Sequence, residues 1–170
     1  KALTEAGGDL YDFVRDSLGR TWIAAGDVSG HGYSCAIAQA MAKAGLASLV
    51  EADRTPSMVL SRLDLVLRGI GSPRTFTSMA LLRLDPTTGD ALLSNAGHPF
   101  PLICTESGAA DELELPSLPL GQGPSRQYTD TTFTINRGTT LILFSDGLFE
   151  GANPAGQAYG FDRIRMVLAK

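Results

Sequence analysis

Thr21-Trp22-Ile23-Ala24-Ala25-Gly26-Asp27-Val28-Ser29-Gly30-His31-Gly32 is the stretch whose reading decides the fold. Its first five residues mix β-branched, aromatic and small side chains and read as a strand over 21–25. The strand runs into a glycine-flanked turn that carries Asp27. Glycine there lets the backbone bend sharply and approach a ligand closely. From 33 to 51 the spacing of Ala, Met and Leu predicts a helix, and its alanine richness predicts tight packing.

Working outward, Ser17-Leu18-Gly19-Arg20 is a hairpin turn back to an earlier strand over 10–14, itself preceded by the turn Thr4-Glu5-Ala6-Gly7-Gly8. On the other side, Thr55-Pro56 is a cap with proline at the first helical position, opening a second helix to about residue 68. After Gly69-Ile70-Gly71-Ser72-Pro73 the character changes to strands, over 75–84, 91–94 and 99–104. The stretch 105–123 reads as a loop, with Leu113-Glu114-Leu115 as an edge strand. Two β runs follow, 131–135 and 139–144, and a third helical segment over 161–170 closes the chain. Strands from both ends around a central helix pair predict an α+β fold with mostly antiparallel hairpins. The strict βα alternation of a doubly wound parallel sheet is absent.

The 170 residues suit one domain with a real core. Hydrophobic residues make up 44% and charged residues 19%, which argues against disorder. A net charge of −4 leaves no basic face for nucleic acid. Cys35 and Cys104, the two cysteines, make neither a disulfide framework nor a zinc pattern, and read as buried free thiols of a reducing cytoplasm. No apolar run approaches the roughly 18 residues of a membrane span, so no direct membrane contact is expected. The chain begins at Lys1 without a methionine and is expected to be a piece of a longer protein.

Three acidic turns carry the chemistry: Gly7-Gly8-Asp9-Leu10-Tyr11-Asp12, Gly26-Asp27-Val28-Ser29-Gly30-His31-Gly32 and Ser145-Asp146-Gly147. In each an aspartate sits beside glycine at a strand end. Carboxylates gathered on rigid scaffolds suit hard cations such as Mg²⁺ or Mn²⁺. Asp-Gly pairs are also ordinary turn chemistry, and spacing alone leaves open whether the three converge.

The ordered set resembles the protein phosphatase 2C (PPM) family, in the bacterial branch of the sporulation stage II phosphatase and the stress-response sigma-factor regulators. Besides the three turns, the resemblance rests on Ser94-Asn95-Ala96-Gly97-His98-Pro99, Leu118-Pro119-Leu120-Gly121, Phe144-Ser145-Asp146-Gly147-Leu148-Phe149-Glu150 and Tyr159-Gly160-Phe161-Asp162-Arg163-Ile164. It implies an αββα sandwich, two antiparallel sheets with helix pairs outside, and a phosphatase using two Mn²⁺ or Mg²⁺ ions. By position, Asp27 bridges both ions and the Val28 carbonyl is a backbone ligand. Asp9 lies in the same shell, directly or through water, and Asp146 holds one ion from the other side. The implied substrate is a phosphoserine or phosphothreonine protein, in this branch an anti-sigma-factor antagonist; a homodimer is compatible. The family continues with a further helix and a last aspartate, so the domain is expected to be incomplete at both ends. Gln157 also stands where an acidic residue is common.

Other polar residues receive plainer readings. His31 and His98 read as structural hydrogen-bonding residues, having no partner at metal-ligand spacing. Ser29 reads as a helix cap. Asp12 is either a support for the metal ligands or a turn residue. Tyr11, Phe13 and Trp22 read as core or half-buried. Nothing local selects among Arg15, Arg20 and Arg74 as phosphate contacts, and Asn153 and Arg163 read as structural.

Two rivals stand beside the enzyme. A non-catalytic partner-switching module of the same fold would bind a protein without hydrolysing phosphate. A nucleotide cyclase is suggested by Gly7-Gly8-Asp9, but Leu10 and Tyr11 occupy the places of the acidic-aromatic pair that diguanylate cyclases carry there. No Gly-x-x-x-x-Gly-Lys phosphate loop is present.

Overall fold

The computed structural model describes residues 7–51, 54–70, 75–105, 108, 110–124 and 127–168. Arg74, most of the expected turn at 4–8 and the last two residues of the expected closing helix lie outside them.

Two strands open the chain, β1 (Asp9–Arg15) and β2 (Thr21–Val28), followed by helices α1 (Tyr33–Leu49) and α2 (Pro56–Ile70). Strands β3 (Thr77–Leu84), β4 (Asp90–Ala96), β5 (Leu102–Cys104), β6 (Ala110–Glu112), β7 (Thr131–Thr134) and β8 (Thr140–Ile142) come next. Helices α3 (Gly147–Glu150) and α4 (Phe161–Leu168) end it. The strands form a five-stranded sheet, β1-β2-β3-β4-β7, and a three-stranded sheet, β6-β5-β8, antiparallel throughout. The fold is α+β with the layers helix, sheet, sheet, helix.

Alternation along each strand sends its side chains to different layers. Trp22, Ala24, Met79 and Leu81 face α1 and α2, meeting Cys35, Leu46, Val59, Leu60 and Leu63 in the larger core. Their neighbours Ile23 and Leu82 face the second sheet, where Leu93, Phe133 and Leu141 complete a core between the sheets. Leu102, Phe144 and Ile164 form a third core under α4.

Several sequence expectations shift. The strand expected over 21–25 runs on to Val28, so Asp27 sits inside the ladder rather than in a turn. The edge strand expected at 113–115 is Ala110–Glu112 instead, and Leu113 and Leu115 pack into the core between the sheets. The one-turn helix α3 was not expected. Cys35 is buried but Cys104 only partly so. Trp22 is buried, whereas Tyr11 and Phe13 are 72% and 63% exposed. These two share the face of β1 that looks away from the helices, and no β1 residue joins the core between the sheets, so nothing covers them.

Candidate functional site

One end of the five-stranded sheet gathers the polar residues. Register places Asp9 of β1 directly opposite Asp27 of β2, and Asp27 opposite Ser78 of β3. Residues opposite one another share a face, so the row Asp9, Asp27, Ser78 crosses three strands on the side toward the second sheet. The peptide that follows β4 adds Gly97 and His98 to the same end. From the second sheet, the segment after β8 delivers Asp146 just ahead of α3.

These pieces border an open cleft of about 600 Å³ lined by Asp27, Ser78, His98, Glu112, Asp146 and Glu150 among others. A larger groove, lined by Ser57 and Arg62 of α2 and by Tyr128 of the segment before β7, holds none of the three aspartates. Asp27 is half-buried; Asp9 and Asp146 are exposed. Burial, then the negative charges of Asp146 and Asp9, push the Asp27 carboxyl up to about 6, against a partial offset from the Val28 N–H. That response places all three carboxylates within electrostatic reach of one another.

Gly8 shows where an added cation has room. A Cβ built there would collide with both Asp27 Oδ1 and the Val28 carbonyl oxygen. Two oxygens thus converge on a spot that only glycine leaves open, while the Val28 N–H bonds the Gly8 carbonyl at 2.9 Å. An all-oxygen set with excess negative charge fits a hard divalent ion. Among the described residues, however, no three His, Cys, Asp or Glu side chains close around one point tightly enough to hold a metal.

Helix α1 fixes β1 from outside. The edge strand's outward carbonyls are taken up by Gln39, whose Nε2 donates to Gly7 at 2.8 Å and Asp9 at 2.9 Å, and by Lys43, which reaches Tyr11 at 3.2 Å. Asp12 points the other way from Asp9 and pairs with Lys43 at 3.6 Å, so it serves the helix contact rather than the cleft. Ser29 does not cap α1: its Oγ accepts the Phe76 N–H at 2.9 Å, tying the ends of β2 and β3. Arg20 is engaged by Asp16 at 2.8 Å, far from a phosphate role. Asn153 holds its turn, accepting the Ala155 and Gln157 N–H groups at 3.0 Å.

Asp146 rests on an aromatic anchor. Phe149 stacks on Phe161 with ring centroids 4.4 Å apart, and Phe144 meets both edge-on. On the opposite wall, Gly97 has φ 67° and packs so closely on Pro119 that a Cβ would lie 2.6 Å from the ring. This contact explains why the Asn95-to-Pro99 and Leu118-to-Gly121 stretches belong together. His98 is structural in part, bonded to Ser78 and Asn95, but it also lines the cleft, which its isolated place in the sequence gave no means of seeing. Burial lowers its pKa to about 4, against the opposing pull of Asp146, Asp9 and the Phe144 backbone. Its imidazole is therefore neutral at pH 7.

Comparison with known proteins adds the family context. The family profile for stage II sporulation protein E (SpoIIE) matches residues 17–170. The phosphoserine phosphatase RsbU of Bacillus subtilis (strain 168) is 30% identical over 144 residues, which cover 84% of this chain and 43% of RsbU. The phosphoserine phosphatase RsbP of the same organism is 26% identical over 168 residues, covering 96% of this chain and 41% of RsbP. The chain thus spans about two fifths of the length of these relatives. Among solved structures, the SiaA-PP2C domain of Pseudomonas aeruginosa superposes with a TM-score of 0.82 at 23% identity, covering 96% of this chain and 65% of that one, a likeness of fold.

Proposed function

The chain belongs to the stage II sporulation protein E (SpoIIE) family, and on that footing we propose that it is the phosphatase domain of a metal-dependent serine/threonine protein phosphatase. The observation that carries this reading is the meeting of Asp27 and Asp146 across one cleft, with Asp9 facing Asp27 in the adjoining strand. The proposed substrate is a phosphoserine or phosphothreonine on a regulatory protein, an anti-sigma-factor antagonist in this branch; the names of RsbU and RsbP, both phosphoserine phosphatases, support the phosphoserine part of that reading. The 170 residues act as one domain, in a cytoplasm that keeps Cys35 and Cys104 reduced. Among the described residues no helix is long and apolar enough to cross a membrane.

Asp27, Asp146, Asp9 and the Val28 carbonyl would hold Mn²⁺ or Mg²⁺, two ions in all. When bound, such ions lower the pKa of water and stabilise the attacking and leaving oxygens of an in-line displacement. The chain's own part is positional. Register fixes the Asp9–Asp27 spacing, glycine at position 8 keeps the approach to Asp27 and Val28 open, and the aromatic anchor under Asp146 holds the opposite wall. No side chain is needed as a nucleophile.

The test is turnover of p-nitrophenyl phosphate and of a phosphoprotein with and without Mn²⁺ or Mg²⁺. Activity should need the metal and vanish in Asp27→Ala and Asp146→Ala. Metal-independent turnover, or wild-type rates in both variants, would sink the reading. A second reading, a binding module that recognises a protein without hydrolysis, is favoured by the absence of three closely gathered ligands among the described residues. It predicts partner binding with no turnover at any metal concentration.

A further inference from the structure

The cleft that holds Asp27 and Asp146 carries two aromatic side chains that no core uses, Phe76 and Phe100. Phe76 is 37% exposed and Phe100 is half-buried. Among the described residues neither stacks on another ring, and neither belongs to one of the three cores. Phe149 and Phe161, which line the same cleft, are in contrast stacked on each other and packed against the core under α4.

Both unused rings stand on a fixed backbone. The Phe76 N–H donates to Ser29 Oγ at 2.9 Å, and the Ser29 N–H donates to the Phe76 carbonyl at 2.9 Å. The next residue, Thr77, exchanges two bonds with Leu120, at 3.0 Å and 2.8 Å. Phe100 lies between Pro99 and Pro101, and a residue before proline has few backbone conformations open to it. Pro99 and Pro119 continue the lining beside the two rings. An apolar lip of this kind has little freedom to lose when something settles on it, which is what makes rigid aromatic side chains effective anchors.

Charge says what the lip adds to the site. Among the described residues every charged side chain lining the cleft is acidic: Asp27, Glu112, Asp146 and Glu150. Such a wall repels a phosphate until cations cover it, and cations hold one phosphate as well as another. Discrimination between phosphorylated proteins therefore has to come from the uncharged surface beside the aspartates, and Phe76, Phe100 and Pro119 supply it.

We propose that Phe76 and Phe100 are specificity-determining residues, forming a lip that receives an apolar side chain of the substrate protein next to its phosphoserine. The inference rests on the phosphatase reading above and names the substrate segment that reading leaves open: phosphoserine with an aliphatic neighbour.

The test compares two phosphopeptides that differ only in carrying leucine or serine beside the phosphoserine, with p-nitrophenyl phosphate as a substrate that has no flanks. Turnover is measured with Mn²⁺ on the full chain. The leucine peptide is expected to have a kcat/KM about 10-fold higher, the difference lying in KM. High salt should leave that ratio standing, because the contact is apolar. Phe76→Ser should bring the ratio down toward one, Phe100→Ser should lower it as well, and Phe76→Leu should keep most of it. A loss of folding would reduce turnover of both peptides together and leave their ratio alone. A ratio near one in the unsubstituted protein, a ratio abolished by salt, or one that neither serine variant alters overturns the proposal. If Mn²⁺ supports turnover of neither the peptides nor p-nitrophenyl phosphate, the phosphatase reading itself fails and the lip's role falls with it.

Discussion

Asp9 faces Asp27 across the β1–β2 ladder, residue opposite residue, on the same side of the sheet. Like charges in that relationship oppose folding unless a cation joins them. Asp27 registers the conflict: burial, Asp146 and Asp9 together raise its carboxyl from 3.8 to about 6. A raised carboxyl binds its proton more tightly in the folded state. Metal-free stability is thus favoured at low pH, declines as pH climbs from about 4, and is penalised in full above 6. Asp27→Asn should stabilise the protein in EDTA at pH 7.5 by about 1–2 kcal/mol after allowance for solvent screening, and by almost nothing at pH 4. Urea denaturation at the two pH values checks it, and a destabilised variant at pH 7.5 would contradict it.

Gly8→Ala tests the open spot beside Asp27. The new methyl meets Asp27 Oδ1 and the Val28 carbonyl, whereas one on Gly7 meets nothing within 4 Å. Displacing catalytic groups by an ångström can reduce rates by roughly 100-fold. Gly8→Ala should therefore lose activity on that scale together with Mn²⁺ affinity, and Gly7→Ala should match the unsubstituted protein in both.

What the sequence made legible follows from the range of each signal. Glycine-aspartate turns and strand alternation are local, so β1, β2, both long helices and the three aspartates could be read from neighbours alone. Contacts between distant segments left weaker marks. Tyr11 and Phe13 alternate as core residues do, and only the reach of the second sheet decides that they stay exposed. Asp16 and Asp64 look like surface carboxylates, yet each has a side chain with no exposure because an arginine four residues on folds over it. His98 acquired its meaning from Ser78, twenty residues earlier.

Asp16 predicts a structural loss with its own pH signature. Its carboxylate accepts from Arg20 Nε at 2.8 Å, Leu18 N at 3.0 Å, Arg20 N at 3.1 Å and Trp22 Nε1 at 3.1 Å. Burial pulls its pKa up, but bonds from Trp22, Arg20 and Leu18 outweigh burial and hold it below 3.8. The stabilisation is present above the ordinary carboxylate range and disappears as pH falls through the lowered value. Asp16→Ala should lose roughly 3 kcal/mol at pH 7, and the gap should narrow as pH drops below about 4. Trp22, the single tryptophan, reports unfolding directly by fluorescence.

Asp64 predicts a loss that travels from α2 to the cleft. Its carboxylate takes Arg68 Nε at 2.8 Å and Nη2 at 3.0 Å, and the Gly121 N–H at 2.8 Å. Arg68 goes on to the carbonyls of Gln122, Gly123 and Pro124. The loop so fastened pairs Leu120 with Thr77 at 2.8 Å and 3.0 Å and presses Pro119 against Gly97, beside His98. Removing one partner of a buried ion pair strands the other, at roughly 3–5 kcal/mol. Asp64→Ala should lose about that much, and adding Arg68→Ala should cost far less than a second full penalty, because the two act as one unit. Hydrogen exchange at the Thr77 and Leu120 amides should quicken in Asp64→Ala while the β1–β2 amides hold. Uniform quickening across both regions would mean that the loop is not a separate fastening but part of the global unfolding unit.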